Sequence, residues 1–138
     1  MEDLFTTHIG EVFPEIAEFR RALHAHPELS FQERNTAARI RARLEQVPGL
    51  KVLPPLIETD VVAVLNANRP GPCIALRADI DALPIEEETD LPYKSATPGV
   101  MHACGHDGHT ATLLGTALVL SRIADRLPGK VKFIFQPA

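Results

Sequence analysis

No apolar run in this 138-residue chain approaches the roughly 18 residues expected of a membrane span, so a bilayer is not an expected partner. Lysine and arginine nowhere gather into a basic face, and the formal net charge is −4; both argue against nucleic acid as a partner. The amino terminus, Met1-Glu2-Asp3-Leu4-Phe5, lacks the basic and then apolar order of a secretory leader, and a cytoplasmic setting is the expectation. Cysteine is scarce, with two residues, and a Cys73–Cys104 disulfide is not expected in that setting. Internal repeats and low-complexity stretches are also missing. What is present is ordinary for a globular domain: 45% apolar and 23% charged residues, in a chain long enough to bury one core.

The apolar pattern predicts three helices and four strands. Val12, Ile16, Phe19 and Leu23 mark one face of a helix over 9–25, with Pro14 expected in its first turn and Pro27 ending it. Ser30 and Glu33 have capping-box spacing, which predicts a second helix with Ala37, Ile40, Leu44 and Val47 inward and Arg34, Arg39, Arg41 and Arg43 on solvated sides. Short apolar runs predict strands at 51–53, 61–65, 73–76 and 130–135; those at 61–65 and 73–76 suit strands covered on both faces, with Cys73 a small core residue. A third helix is expected over 107–124, with Leu113, Ala117, Leu120 and Ala124 inward. Between Asp79 and His102 the chain has no clear period, and a loop that long in a compact domain is usually functional. Helices alternating with apolar strands give an α/β sandwich.

The chemistry concentrates in Met101-His102-Ala103-Cys104-Gly105-His106-Asp107-Gly108-His109-Thr110. A thiol, imidazoles and a carboxylate this close are the ingredients of a transition-metal site. Cys104 and His106 could face one way on an extended segment, and Gly105 permits a tight turn between them. The same pair could be a hydrogen-bonded loop end. His109 could ligate or merely pack, His102 could hydrogen-bond to a site, and Asp107 reads most simply as an N-cap or first-turn carboxylate. Asp79 and Asp81 lie at a strand's carboxyl end, either as solvated turn residues before Pro84 or beside a positive neighbour: a metal, a metal-bound histidine or Arg77. His24 and His26 read as helix-end residues favoured by the helix dipole.

Taken in order, Arg20-Arg21-x-Leu23-His24-x-His26-Pro27-Glu28-Leu29-Ser30-Phe31, then Leu76-Arg77-Ala78-Asp79-Ile80-Asp81-Ala82-Leu83-Pro84, then the 101–110 segment, then Phe133-Ile134-Phe135-Gln136-Pro137-Ala138 resemble the metal-dependent amidohydrolases of the aminoacylase and carboxypeptidase type. Hippurate hydrolase and indole-acetyl-amino-acid hydrolases belong to the same group. The resemblance implies a three-layer αβα sandwich of the zinc-peptidase kind, with a buried, mostly parallel mixed sheet. It implies hydrolysis of the amide of small N-acyl amino acids with two divalent ions, zinc, manganese, nickel or cobalt. Cys104 would be the bridging ligand and His106 a ligand to one metal, while Asp81 would act in catalysis by orienting a ligand. His102, Asp107, His109 and Asp79 remain candidates for supporting the metal or the substrate. In the family, Phe-Gln-Pro-Ala is followed by two glutamates, a general base and a metal ligand, and later by further histidines and a lid or dimerisation domain. On that pattern residues 1–138 are the N-terminal portion of a catalytic domain and by themselves inactive, and a homo-oligomer is compatible with the intact protein. Two rivals stand beside this reading: a hydrolase using Cys104 as nucleophile, and a non-catalytic metal-binding fragment.

Overall fold

The computed structural model describes residues 2–137. Helix α1 covers Glu2–Ala25, α2 Arg34–Leu44 and α3 His106–Arg122; the strands are β1 Leu50–Val52, β2 Val61–Leu65, β3 Cys73–Asp79 and β4 Lys130–Gln136. The strands form one mixed sheet in the order β1-β2-β4-β3. β3 and β4 run parallel, joined by α3, and the β1–β2 and β2–β4 pairs are antiparallel, so among the described strands the sheet is less parallel than expected. Among the described residues no helix is long and apolar enough to cross a membrane.

Register explains where the core sits. Val61 pairs with Phe135, Ala63 with Phe133 and Leu65 with Val131, so these six side chains share one face of the sheet. Ala37, Ile40 and Leu44 of α2 and Leu113, Leu114 and Ala117 of α3 pack on that face in the same buried cluster. α1 lies outside, against α3. The described residues thus build two layers, a helical layer and a sheet, while Val62, Lys132, Ile134 and Arg77 on the opposite face are partly or fully exposed.

Four local expectations change. α1 begins well before Ile9, so Pro14 lies inside the helix instead of in its first turn. Pro14 is exposed, where the carbonyl it leaves without an N–H can bind water. The Ser30–Glu33 capping box does not form: α2 has no cap from its N-cap residue, Glu33. Glu28 caps it from outside instead, its Oε1 accepting from the Asn35 N–H at 3.1 Å and its Oε2 from the Thr36 N–H at 2.8 Å. β3 runs three residues beyond the apolar run, to Asp79. It is also one of the two edge strands of the described sheet, so Cys73 is exposed and Ile74 is 62% exposed, and neither belongs to a two-faced core.

The parallel β3–β4 pair begins at a close backbone crossing. A Cβ on Gly129 would stand 2.1 Å from the Pro72 carbonyl oxygen, so glycine is required there. The pair then delivers Asp79 and Gln136 side by side at one end of the sheet. That end faces the start of α3, whose Thr110 hydroxyl donates to the Asp79 carbonyl at 3.1 Å. Carboxyl ends of parallel strands border the usual ligand crevice of an α/β sheet.

Candidate metal centre

Gly105 precedes α3 with φ 77°, a left-handed backbone that glycine adopts without penalty. This turn sets Cys104 outside the helix and His106 on its first residue. His106 Nδ1 lies 2.8 Å from Asp81 Oδ1 and 3.2 Å from the Asp81 carbonyl oxygen. Both neighbours are acceptors, so Nδ1 carries the proton and Nε2 is left with its lone pair when the ring is neutral. Asp81 is buried, and its other oxygen, Oδ2, accepts from the Ser30 hydroxyl at 3.1 Å. Cys104 is a free, exposed thiol two residues before His106.

The remaining predicted residues fall into three places. His109 is exposed on the first turn of α3, its ring 5.6 Å from that of His106. Asp79 turns to Arg77, whose Nη2 is 2.5 Å from Oδ1, and Arg77 Nε also donates to Gln136 at 2.6 Å. Arg77 therefore supplies the positive neighbour for Asp79, and His106 faces Asp81. Asp107 is a first-turn residue but not a cap: it is fully buried, and Oδ2 meets Arg20 Nε at 2.7 Å and His24 Nδ1 at 2.8 Å. His102 is buried, and neither ring nitrogen has a hydrogen-bond partner among the described residues. Burial holds its pKa below the ordinary histidine value; the charge of Asp107 opposes this.

Sequence reasoning missed the buried network behind the site. His24 does lie in the last turn of α1, but it is 3% exposed and bridges Asp107 to Glu87, with Nε2 3.0 Å from Glu87 Oε1. Glu87 also accepts from the Thr89 hydroxyl at 2.5 Å and the Ser95 N–H at 2.6 Å. Burial alone would raise the Glu87 carboxyl, but these hydrogen bonds and that of His24 outweigh it and hold the pKa to about 2. The available signal was the placement of Arg20 and His24 four apart on one helix face. Their partners lie 83 and 63 residues away from His24, beyond any local pattern.

Two donors with one of them oriented by a carboxylate fit part of a transition-metal centre. Among the described residues no group of three or more His, Cys, Asp or Glu is arranged to hold an ion, so the fit is partial.

Residues 75–138 match the model of peptidase family M20/M25/M40. The chain is 49% identical over 130 residues to an N-acyl-L-amino acid amidohydrolase of Geobacillus stearothermophilus, covering 94% of this chain and 35% of the relative. It is 53% identical over 125 residues to an N-acetylcysteine deacetylase of Bacillus subtilis, covering 89% and 32%. The crystal structure of the YxeP protein of Bacillus subtilis, described as a dinuclear metal binding peptidase from the M20 family, superposes with a TM-score of 0.86 at 51% identity, over 91% of this chain and 35% of that one. The chain spans about a third of the length of the curated relatives it matches. The order of the motifs, the fold they build and these likenesses agree, and over residues 75–138 the chain is similar to peptidase family M20/M25/M40.

Proposed function

We propose that this chain supplies part of a metal-assisted centre that, in the intact protein, hydrolyses the amide bond of N-acyl amino acids. One observation carries the reading: His106 Nδ1 is committed to Asp81, which leaves Nε2 free on a residue two positions after an exposed thiol. Cys104 and His106 would hold the metal; two divalent ions, zinc, manganese, nickel or cobalt, would acidify a water and polarise the amide carbonyl when bound. Asp81 keeps His106 in the Nδ1–H form and fixes its direction. The Arg20–Asp107–His24–Glu87 network fastens the start of α3 to α1 and to the loop before it. The similarity to an N-acyl-L-amino acid amidohydrolase and an N-acetylcysteine deacetylase supports the substrate class. We further read residues 1–138 as the N-terminal portion of a catalytic domain of a cytoplasmic protein, with His102, His109 and Asp79 near enough in sequence and fold to support metal or substrate.

Alkylation tests this reading against Cys104 as a nucleophile. Iodoacetamide labelling of Cys104, followed peptide by peptide, is expected to slow when zinc or cobalt is added and to recover with chelator. Exposed Cys73 provides the control and should label at one rate throughout. Labelling of Cys104 that ignores metal would overturn the ligand role and favour the nucleophile.

A further inference from the structure

Phe31 has φ 61°, a left-handed backbone that is a genuine outlier for a bulky side chain. The residue is 63% exposed, so packing of its side chain does not explain the strain. The segment around it is held from several directions. The Gln32 N–H donates to the Leu29 carbonyl at 2.9 Å, closing a turn, and the Ala82 N–H donates to the Glu28 carbonyl at 2.8 Å. Leu29 forms a parallel bridge with Ala82, next to Asp81. The Glu28 side chain meanwhile caps α2. The result of this forced turn is the placement of one hydroxyl: Ser30 Oγ donates to Asp81 Oδ2 at 3.1 Å. Strain kept by surrounding structure concentrates at functional positions.

We infer that Ser30 is a positioning residue for His106, acting through Asp81. A carboxylate held at one oxygen alone can swing about its Cβ–Cγ bond. With Oδ2 fixed by Ser30, Oδ1 is directed at His106 Nδ1. The imidazole is then kept in the Nδ1–H tautomer, with the Nε2 lone pair available to a cation. The significance for metal binding rests on the function proposed above; the tautomer control does not.

Two measurements on the 138-residue chain separate these claims. Nitrogen-15 NMR of the His106 ring, recorded with the ring in its neutral form, reads the tautomer without metal. Ser30→Ala is expected to lower the Nδ1–H to Nε2–H ratio by about 2–10-fold, the weight of one hydrogen bond, and Ser30→Thr, which keeps the hydroxyl, to restore it. Retention of the α3 amide spectrum in both variants excludes a change caused by unfolding. A ratio unchanged in Ser30→Ala, or unrestored by Ser30→Thr, overturns the inference whatever the chain does with metal. Cobalt(II) alone, followed by its thiolate absorbance, then tests the consequence: Ser30→Ala should weaken binding by roughly 3–10-fold, less than the 10–100-fold expected for direct partners of a ligand. If the wild-type chain gives no thiolate band while Ser30→Ala shifts the tautomer, positioning by Ser30 stands and the metal reading fails.

Discussion

A buried carboxylate with three donors resists protonation, and Glu87 is that case. Its pKa is lowered from 4.5 to about 2 in the folded chain. The stability it contributes is therefore complete above about pH 4.5 and is lost as the pH falls through about 2, with a ceiling of about 3 kcal/mol. His102 adds an earlier limb. Burial lowers its pKa from 6.5, so below that pH the unfolded chain takes up a proton that the folded chain resists, and stability declines. Urea unfolding measured from neutral to acid pH should show both losses. Glu87→Gln should cost about 2 kcal/mol at neutral pH and flatten the limb below pH 4.5, while leaving the His102 limb in place. An acid limb that keeps its full slope in Glu87→Gln would refute the assignment. The Glu86-Glu87-Glu88 run gave no hint of this role, because one of its three acids is buried and two are exposed. Local sequence could not choose among them; the choice is made by His24 from another element.

At the level of elements, apolar period and turn chemistry were read with different success. The β2 bounds follow from Val61-Val62-Ala63-Val64-Leu65 alone, since an apolar run flanked by polar residues defines a buried strand. The run at Cys73–Leu76 looks equivalent yet forms an edge strand among the described ones, because an apolar run does not encode which neighbours a strand has. β3 continues through Arg77 because an edge position lets that guanidinium reach Gln136 and Asp79 outside the core. The second helix was legible and its cap was not. Ser30 has the right residue type and spacing for a cap, but its hydroxyl is committed to Asp81, and Glu28 takes over. Glu28→Ala is accordingly expected to destabilise the chain by about 1–2 kcal/mol, the upper part of the range for a lost cap, since two backbone donors lose one carboxylate. Thermal or urea unfolding of that variant decides the point: a loss indistinguishable from zero would return the capping role to water.

For the molecule as a whole, the same hydrogen bonds that orient the candidate centre limit what it can do by itself. Metal-assisted amide hydrolysis needs a group to take the proton of the attacking water and pass it to the departing amine. The carboxylates next to Cys104 and His106 each have at least one oxygen engaged, and the one free oxygen of Asp107, Oδ1, is buried away from solvent. Asp81 holds His106 with one oxygen and Ser30 with the other. Asp79 is paired with Arg77, and Asp107 is buried behind the site against Arg20 and His24. No third side chain among the described residues completes a metal cage. The 138 residues are thus expected to bind cobalt or zinc weakly through Cys104 and His106, yet to hydrolyse an N-acetyl amino acid at least about 10²–10⁴-fold more slowly than a longer relative such as the Bacillus subtilis deacetylase. Initial rates of the two proteins, measured side by side with cobalt and then with chelator, test this. Chelator-sensitive turnover by the 138 residues at the relative's level would show that one of the committed carboxylates leaves its partner during the reaction, and Asp81→Asn would then identify whether the base is the group that orients His106.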